Sequence, residues 1–297
     1  ILAFRGLKQQ AIDTAEAGDI VSLAGMSKAT VADTIADQSV EDPIPAQPID
    51  PPTITVTFGI NDSPLAGRDG KKVQSRVIRD RLLKECESNV AIKMVDTPGG
   101  EAFDVSGRGE LQMGVLIENM RREGFELSIS RPRVIYKDVD GVKNEPIEEV
   151  TIDVDEEFSG AVIEKLSSRK GEMVDLKSSG SGKTRIIALV PSRGLIGYHS
   201  EFMTDTRGTG ILNRVFHSWS PHKGSIAGRR QGVLISMENG SSVAYAIFNL
   251  EERGKFFIGS GEEVYEGMII GEHNRDNDLE VNPLKGKKLT NIRASGN

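Results

Sequence analysis

The middle of this chain contains the same order of elements twice: strand, helix, strand, strand, helix and strand, over residues 53–131 and again over about 147–217. Strands are indicated by apolar residues at every second position and helices by apolar residues three or four positions apart. Each copy matches the split βαβ, or ferredoxin-like, unit, in which two helices cover one face of a four-stranded antiparallel sheet. We therefore predict an α+β multidomain chain with two such units. Because this fold serves many functions, particular residues must decide the function.

The first copy begins with a strand in which Ile54, Val56 and Phe58 alternate with threonines, followed by a helix over 72–88. Cys86 falls on the apolar face of this helix, so we predict a small core residue and not a nucleophile. The later elements are strands over 91–95 and 101–106, a helix with the apolar stripe Met113, Leu116, Ile117 and Met120, and a closing strand with Phe125, Leu127 and Ile129 on its inner side.

The second copy opens with a strand whose inner side carries Val150, Ile152 and Val154. The following elements are a helix with Phe158, Ala161, Val162 and Leu166, strands over 173–177 and 185–190, a helical stretch after Ser192, and a strand over 211–216. The alternation of the first strand and the helical spacing that follows it repeat those of the first copy.

The flanking regions differ from the repeated centre. The first forty residues are predicted to be β structure, including a strand over 19–24, and five prolines between 43 and 52 indicate a linker. Beyond Trp219 the chain is predicted to be mostly β, with strands over 232–237, 243–250 and 263–271. We therefore expect the end of a β-barrel domain before the two units and a mostly β domain after them.

The charge balance limits how the chain could bind nucleic acid. With 37 basic and 44 acidic side chains, the net charge of −7 argues against attraction over the whole surface, because that attraction requires phosphate neutralisation by Lys and Arg. Acidic residues concentrate over 148–157, whereas the C-terminus carries a basic cluster without a carboxylate. This cluster consists of Lys285, Lys287, Lys288 and Arg293. Any nucleic-acid contact is therefore predicted to be local.

Composition also restricts redox and membrane classes. The single cysteine excludes an internal disulfide and a cysteine-based zinc site. No apolar run approaches the roughly 18 residues of a spanning helix, and the residues from Ile1 onward show no initiator Met, signal-type apolar segment or lipidation motif. We expect an internal piece of a cytoplasmic protein, and the lack of long heptad repeats favours a monomer.

Three glycine-rich segments are candidates for phosphate binding. Residues 179–184 contain Gly-Ser-Gly-Lys, but the full P-loop pattern fails and strands are predicted on both sides, which favours a hairpin turn. Arg108 and Arg193 stand where helices are predicted to begin, and free N–H groups at a helix start suit phosphate oxygens. A cap with a tight turn explains both arginines equally well.

No catalytic centre is indicated. His217 and His222 form a loose pair that could bind zinc, with a solvated loop as the alternative, and no nucleophile–base arrangement can be argued from spacing. An enzyme site formed only in three dimensions remains an alternative. We expect no metal and no cofactor.

The strongest candidate binding segment is 273–288, which is polar, rich in Asn and Gly, and ends in the lysine cluster. Loops of this length without internal structure are uncommon in compact domains and are usually functional or disordered. Arg275, Lys285, Lys287, Lys288 and Arg293 could contact phosphates, and Asn274 and Asn277 could reach bases or 2′-hydroxyls. A solvated loop is the alternative.

Longer motifs carry a resemblance to a known family. The run 102–132, which contains Gly-Arg-Gly-Glu-Leu, resembles domain III of the ribosome-associated translational GTPases. Four further motifs narrow the resemblance to the BipA/TypA family: Pro-Ser-Arg-Gly-Leu-Ile-Gly at 191–197, Thr-Arg-Gly-Thr-Gly at 206–210, Tyr-Glu-Gly-Met-Ile-Ile-Gly at 265–271, and Lys-Gly-Lys-Lys-Leu-Thr-Asn-Ile-Arg-Ala-Ser at 285–295.

The resemblance implies a domain order. Residues 1–45 would be the tail of the domain II β-barrel, 46–130 domain III, 131–222 domain V, and 223–297 the C-terminal domain of this family. Elongation factor G has a further domain between its third and fifth, which is absent here. LepA shares that omission, but its C-terminal sequence differs.

The resemblance also implies a role and its partners. Family members bind GTP and Mg²⁺ in an N-terminal domain whose P-loop and switch regions do not occur here, so this chain is not expected to hydrolyse GTP. The expected partners are the 70S ribosome, its large subunit, rRNA and tRNA near the aminoacyl site, in stress adaptation and large-subunit assembly. The implied RNA-binding residues are Arg193, Arg207, Arg275, Asn277, Lys285, Lys287, Lys288 and Arg293. An RNA-binding assembly module that acts without a GTPase is the alternative.

Overall fold

The computed structural model describes residues 1–26, 29, 33–45, 49–178, 180, 182–226 and 231–286. The helices are α1 Ser75–Ser88, α2 Glu110–Arg122, α3 Glu156–Ser168, α4 Ser192–Leu195, α5 Tyr198–Asp205 and α6 Ala244–Leu250, and one 3₁₀ turn covers Glu251–Arg253. No helix in the described ranges is long and apolar enough to cross a membrane.

The strands before the second repeat are β1 Leu2–Arg5, β2 Lys8–Ala11, β3 Val21–Ser22, β4 Ile54–Gly59, β5 Lys93–Asp96, β6 Ala102–Gly107, β7 Ser128–Ile129, β8 Arg133–Val134 and β9 Lys137–Val139. The remaining strands are β10 Val142–Asp155, β11 Glu172–Ser178, β12 Lys183–Pro191, β13 Ile211–Pro221, β14 Val233–Ser236, β15 Gly240–Ser241, β16 Gly254–Phe256, β17 Glu263–Val264, β18 Ile269–His273 and β19 Leu279–Val281.

The first repeat, 53–134, forms the predicted split βαβ unit, which we call the first unit. Its antiparallel strands lie in the order β5-β6-β4-β7, and β8 also pairs with β4. The alternating side chains of β4 that point inward pack with α1 and α2 in a buried core. Cys86 packs against that core and is partly buried, and this burial raises the pKa of its thiol. The other face of the sheet carries no helix of this unit.

The second repeat, 142–221, forms the same topology, which we call the second unit. Its strands lie in the order β11-β12-β10-β13, and α3 and α5 cover the inner face. The hairpin predicted at 179–184 is confirmed, because Ser178 pairs with Thr184 across it. Ala161, predicted on the inner side of α3, is exposed, because the buried side of this helix follows the four-residue spacing of Val162 and Leu166.

β10 is the longest strand of the described chain, with 14 residues. Its first residues extend past β12, whose pairing with β10 ends at Ile147. There Asn144 pairs with Pro221 at the end of β13, and the register shifts by one residue between Ile147 and Glu148. This bulge bends an extension of the sheet in which β10 pairs with β13 and, over its first three residues, with β9.

The C-terminal region contains a sheet in the order β16-β18-β14-β19, in which β14 and β19 run parallel. Its core is small and is built on Leu234, Val264, Ile270 and Val281. The strand predicted over 243–250 is wrong, since Ala244–Leu250 is helix α6. A short apolar run cannot be assigned by periodicity alone, and two alanines and a leucine favour the helix.

Two further strand predictions need correction. The closing strand of the first unit pairs only over Ser128–Ile129, and Ile129 is exposed while Phe125 and Glu126 are both buried. Near the N-terminus the strand predicted over 19–24 is limited to Val21–Ser22, which joins the three-stranded sheet β2-β1-β3. The predicted domain boundaries at 45, 130 and 222 remain predictions.

Candidate nucleic-acid interface

The segment between β18 and β19 is an ordered turn held by its own backbone. The His273 ring is buried and its Nδ1–H donates to the carbonyl of Asn277 at 2.6 Å. The Gly232 amide donates to the carbonyl of Arg275 at 2.6 Å. A Cβ at Gly232 would lie 1.9 Å from the Asn277 carbonyl oxygen, so only glycine permits this approach. The turn is therefore held by hydrogen bonds at its base, and the side chains of residues 274–278 are exposed.

The binding segment predicted over 273–288 is shorter than expected. Residues 279–281 form strand β19, which pairs with β14, so the irregular part ends at Asp278. The Asn274 side chain donates to the Glu252 carbonyl at 3.0 Å, and the Asn277 side chain donates to the Asp278 carbonyl at 3.2 Å. In this arrangement both amides already support the turn, which leaves Arg275 as its outward-facing cation.

The predicted lysine cluster is described only at its start. Lys285 is exposed two residues after Pro283, whose carbonyl accepts from the Val243 amide at 2.9 Å. Lys287, Lys288 and Arg293 lie outside the described residues. Their proposed phosphate contacts stay predictions.

Arg193 has a different environment from the one predicted for a phosphate ligand. Its guanidinium donates to Glu145 and to the carbonyl of Gly224, and its side chain is only 14% exposed. Glu145 is fully buried on β10 and also accepts from the Lys223 amide at 2.7 Å. Burial raises the pKa of Glu145, but the hydrogen bonds from Arg193 and Lys223 outweigh it, so the pKa lies below its usual value. This pair fixes the exit of the chain from the second unit.

The other two arginines selected from the sequence lie apart from Arg193. Arg207 is exposed in a left-handed turn after α5, with its guanidinium 5.6 Å from the centre of the Phe158 ring. Arg108 is exposed before α2, where its backbone amide donates to Gln112 at 2.8 Å. Among the described residues, no contact joins Arg193, Arg207 and the turn after β18 into one site.

The histidine pair has no metal-binding geometry within the described ranges. His217 Nδ1 is 3.0 Å from the Ser218 hydroxyl, and His222 Nδ1 accepts from the Gly224 amide at 3.1 Å. Among the described residues, no group of three His, Cys, Asp or Glu side chains could hold a metal ion.

A large cleft of about 1480 Å³ lies where the first unit, the second unit and the C-terminal region meet. One wall is the open sheet face of the first unit, represented by Thr55 and Asp104, and the segment 131–136 follows it. The opposite wall comes from α3 and α5, and Glu272 of β18 lies at the third side. No local sequence pattern indicates this site, because its walls come from separate segments.

The cleft is more basic than the rest of the chain. Its described lining contains five basic side chains, Arg131, Arg133, Lys165, Arg169 and Arg193, and three carboxylates, Asp104, Glu201 and Glu272. The whole chain has the opposite balance, with 37 basic and 44 acidic residues. Two signals were present in the sequence: the pair Arg131 and Arg133 around Pro132, and Lys165 and Arg169 one helical turn apart.

Ion pairs within the cleft leave cationic groups available. Lys165 and Arg169 both contact the single carboxylate of Glu201, so this trio has a net positive charge. Burial raises the pKa of Glu201, but the two cations outweigh it and keep the carboxyl ionised. Arg133 donates to Asp104 and to Thr57, each at 3.1 Å. Arg131 is exposed and has no side-chain partner within the described part of the chain.

A second junction joins the two units through carboxylates. Glu110 at the start of α2 accepts from the Gly197 amide at 3.0 Å and lies 3.8 Å from Arg214 of β13. Arg214 also lies 3.5 Å from Glu148, which is 6% exposed. Burial raises the pKa of Glu148, and Arg214 offsets this only in part. These contacts hold the start of α2 against the start of α5 and against β13 of the second unit.

Comparisons with known proteins give the family. Residues 231–297 match the TypA/BipA C-terminal domain, and residues 142–230 match the elongation factor G C-terminus. A Bacillus subtilis (strain 168) protein named large ribosomal subunit assembly factor BipA is 52% identical over 296 residues, which are 99% of this chain and 48% of that protein. The chain belongs to the BipA/TypA family. The resemblance seen in the sequence motifs is confirmed.

Other BipA proteins show the same extent of similarity. The protein of that name from Escherichia coli (strain K12) is 51% identical over 297 residues, covering 100% of this chain and 49% of its own length. The Haemophilus influenzae BipA is 52% identical over 297 residues, with 48% of its length covered. This BipA-family chain therefore spans about half the length of the curated relatives that it matches.

Proposed function

We propose that this chain is the ribosome-binding part of a BipA-type factor that acts in assembly of the large ribosomal subunit. The observation that carries this proposal is the identity of 50–52% to BipA proteins along essentially the whole chain. Those relatives are named large ribosomal subunit assembly factors. A cytoplasmic location and a role in stress adaptation belong to the same proposal.

The proposed contacts are with rRNA and tRNA near the aminoacyl site. Support comes from the hydrogen-bonded turn after β18, which exposes Arg275, and from Lys285 at the start of the basic cluster. Cations on a fixed backbone suit phosphate contacts that position a protein on RNA. GTP and Mg²⁺ would act in the part of the relatives that this chain does not match, and they would change its docking only through a difference in affinity between two conformations.

Co-sedimentation with purified 50S subunits and 70S ribosomes tests the proposal. We expect the chain to sediment with the particles at low salt and to dissociate as salt rises, because phosphate contacts release counterions. A variant with Lys285, Lys287 and Lys288 changed to Glu should bind less. A matched variant with Lys8, Lys71 and Lys84 changed to Glu carries the same charge change at exposed sites and should bind like wild type.

The outcomes separate the parts of the proposal. Equal loss in both triple variants would indicate general electrostatic attraction and would contradict the C-terminal contact. Binding unaffected by either variant would place the contact elsewhere on the chain. If wild-type chain did not sediment with either particle, this part of the protein would not bind ribosomes by itself, and the proposal would be wrong.

A further inference from the structure

We propose that the cleft between the two units is a second RNA-binding site, which holds the sugar–phosphate backbone of an extended single strand. This inference rests on the proposed ribosome-associated function and adds a site that is separate from the turn after β18. Its volume of about 1480 Å³ exceeds the roughly 300–1,000 Å³ typical of small-molecule pockets. A segment of a polymer is therefore the better fit.

The excess of basic over acidic side chains in the cleft favours an anionic polymer as its ligand. Five basic and three acidic side chains line its described part, in a chain whose net charge is −7. Arg131 has no partner among the described residues, and Lys165 shares Glu201 with Arg169, so donors remain on both sides of the opening. A basic groove of this kind follows the backbone of a single strand.

The polar groups between these cations suit sugar and phosphate oxygens. Ser168, Ser200 and Thr204 line the wall formed by α3 and α5, and the opposite wall carries Thr55. Hydroxyl groups bond phosphates and the 2′-hydroxyl that distinguishes RNA from DNA. On the opposite wall the Thr55 hydroxyl is also 2.8 Å from that of Ser106, so part of the hydroxyl surface is ordered within the protein.

The cleft offers little for reading base sequence. Tyr136 is the single aromatic side chain of its described lining, and the Lys143 ammonium already lies 3.7 Å from the centre of that ring. Base stacking on aromatic rings supplies much of the affinity in other single-strand sites. We therefore expect binding that depends on salt and on the 2′-hydroxyl but hardly on sequence.

Fluorescence anisotropy with a labelled single-stranded RNA of about ten nucleotides tests the site directly. Arg131→Glu should weaken binding on the order of fivefold at low salt and reduce the slope of log affinity against log salt by about one. Arg76→Glu is the matched control, since Arg76 is exposed on α1, on the opposite side of the same sheet, and has no partner in the described structure. It should bind like wild type.

Several results would overturn the inference. Equal weakening by both substitutions would indicate attraction without a site. Absence of RNA binding by the wild-type chain would remove the site altogether. Displacement of the RNA by an equimolar amount of inorganic pyrophosphate would show a small-anion pocket. Equal affinity for DNA of the same sequence would contradict the role of the hydroxyl wall.

Sedimentation of the same two variants with 50S subunits separates this inference from the proposed function. Wild-type sedimentation without binding of the free RNA would leave the proposed function standing and remove the cleft site. If Arg131→Glu then lost particle binding, a protein of the particle would occupy the cleft in place of RNA. Equal thermal unfolding midpoints of the variants and wild type would show that the charge, and not the fold, had changed.

Discussion

The two split βαβ units have the same strand order but present different chemistry on their open sheet faces. In the first unit this face carries hydroxyls, such as Thr55 and Thr57, and forms a wall of the basic cleft. In the second unit the corresponding face exposes Ile211 and Val215 beside the carboxylate of Asp153. Topology therefore decides which positions face outward, whereas the residues at those positions decide what can bind there.

The units also hold their buried carboxylates by different means. In the first unit Glu126 accepts from the backbone amides of Gly67, Asp69 and Gly70 at 2.6, 2.7 and 2.9 Å. In the second unit the guanidinium of Arg193 partners Glu145. A carboxylate held by backbone amides orders a loop, while one held by a buried cation joins distant segments. These two arrangements make different predictions.

The largest effect is expected in the second unit. Arg193→Ala leaves Glu145 fully buried without its cation, which should lower the free energy of unfolding by about 3–5 kcal/mol. Urea unfolding followed by circular dichroism measures the loss. The double variant with Glu145→Gln and Arg193→Gln should lose less, because it leaves no buried charge. Equal losses in the single and double variants would contradict the assigned pairing.

A smaller and more local effect is expected in the first unit. Hydrogen bonds from Gly67, Gly70 and Asp69 lower the pKa of Glu126 to about 2, against an ordinary value of 4.5. The stabilisation is present above the unfolded value and is lost as pH falls towards about 2. Glu126→Gln should remove this acid dependence and speed amide exchange at Gly67, Asp69 and Gly70. Unchanged exchange at these amides would show that the loop does not depend on the carboxylate.

The pH dependence of stability that comes from Glu148 should have the opposite sign to that from Glu126. Burial raises the pKa of Glu148 above the ordinary value of 4.5, so the folded state binds the proton more tightly than the unfolded state. The free energy of unfolding therefore falls as pH rises from the ordinary value to the raised pKa of the folded state. The groups that face it are Arg214, Glu110 and Ser192. Glu148→Gln should gain stability relative to wild type as pH increases, until wild type is fully ionised. Glu149→Gln, which removes the same charge on the other face of β10, serves as the control for the loss of one carboxylate.

The smallest expected effect compares equivalent ion pairs on the two open faces. Arg133 pairs with Asp104 at 3.1 Å in the first unit, and Arg185 pairs with Asp153 at 2.7 Å in the second. Exposed ion pairs contribute little to stability, so neither Arg133→Gln nor Arg185→Gln should change the free energy of unfolding measurably. Arg133→Gln should nevertheless weaken RNA binding about twofold, as expected for one lost phosphate contact, while Arg185→Gln should not. Equal binding by both variants would remove the functional difference between the faces.

The elements with strict periodicity could be predicted from the sequence. Ile54, Val56 and Phe58 are buried as their alternation indicated, and Met113, Leu116 and Met120 form the buried side of α2. Such patterns work because burial of one face is the main constraint on a strand or a surface helix. Helix α6 was missed because its seven residues are too few to define a period.

The candidate sites were less predictable because they depend on contacts between distant residues. Glu126 stands in an alternating segment, where a polar residue is expected to face solvent, but the loop 61–70 folds over it. Arg193 and Glu145 are 48 residues apart, and no local pattern indicates that they meet. The polar turn after β18 could be located from composition, whereas the cleft required the packing of three regions.

The ribbon formed by the first residues of β10 and the last residues of β13 has a mechanical consequence. The two strands stay paired for about 13 Å past the bulge at Ile147 and Glu148, at roughly 3.3 Å per residue, and the C-terminal region follows the end of β13. The direction in which the chain leaves the second unit is therefore set by this bulge together with the Glu145–Arg193 pair beside it, so a substitution at either would change the angle at which the C-terminal region is attached.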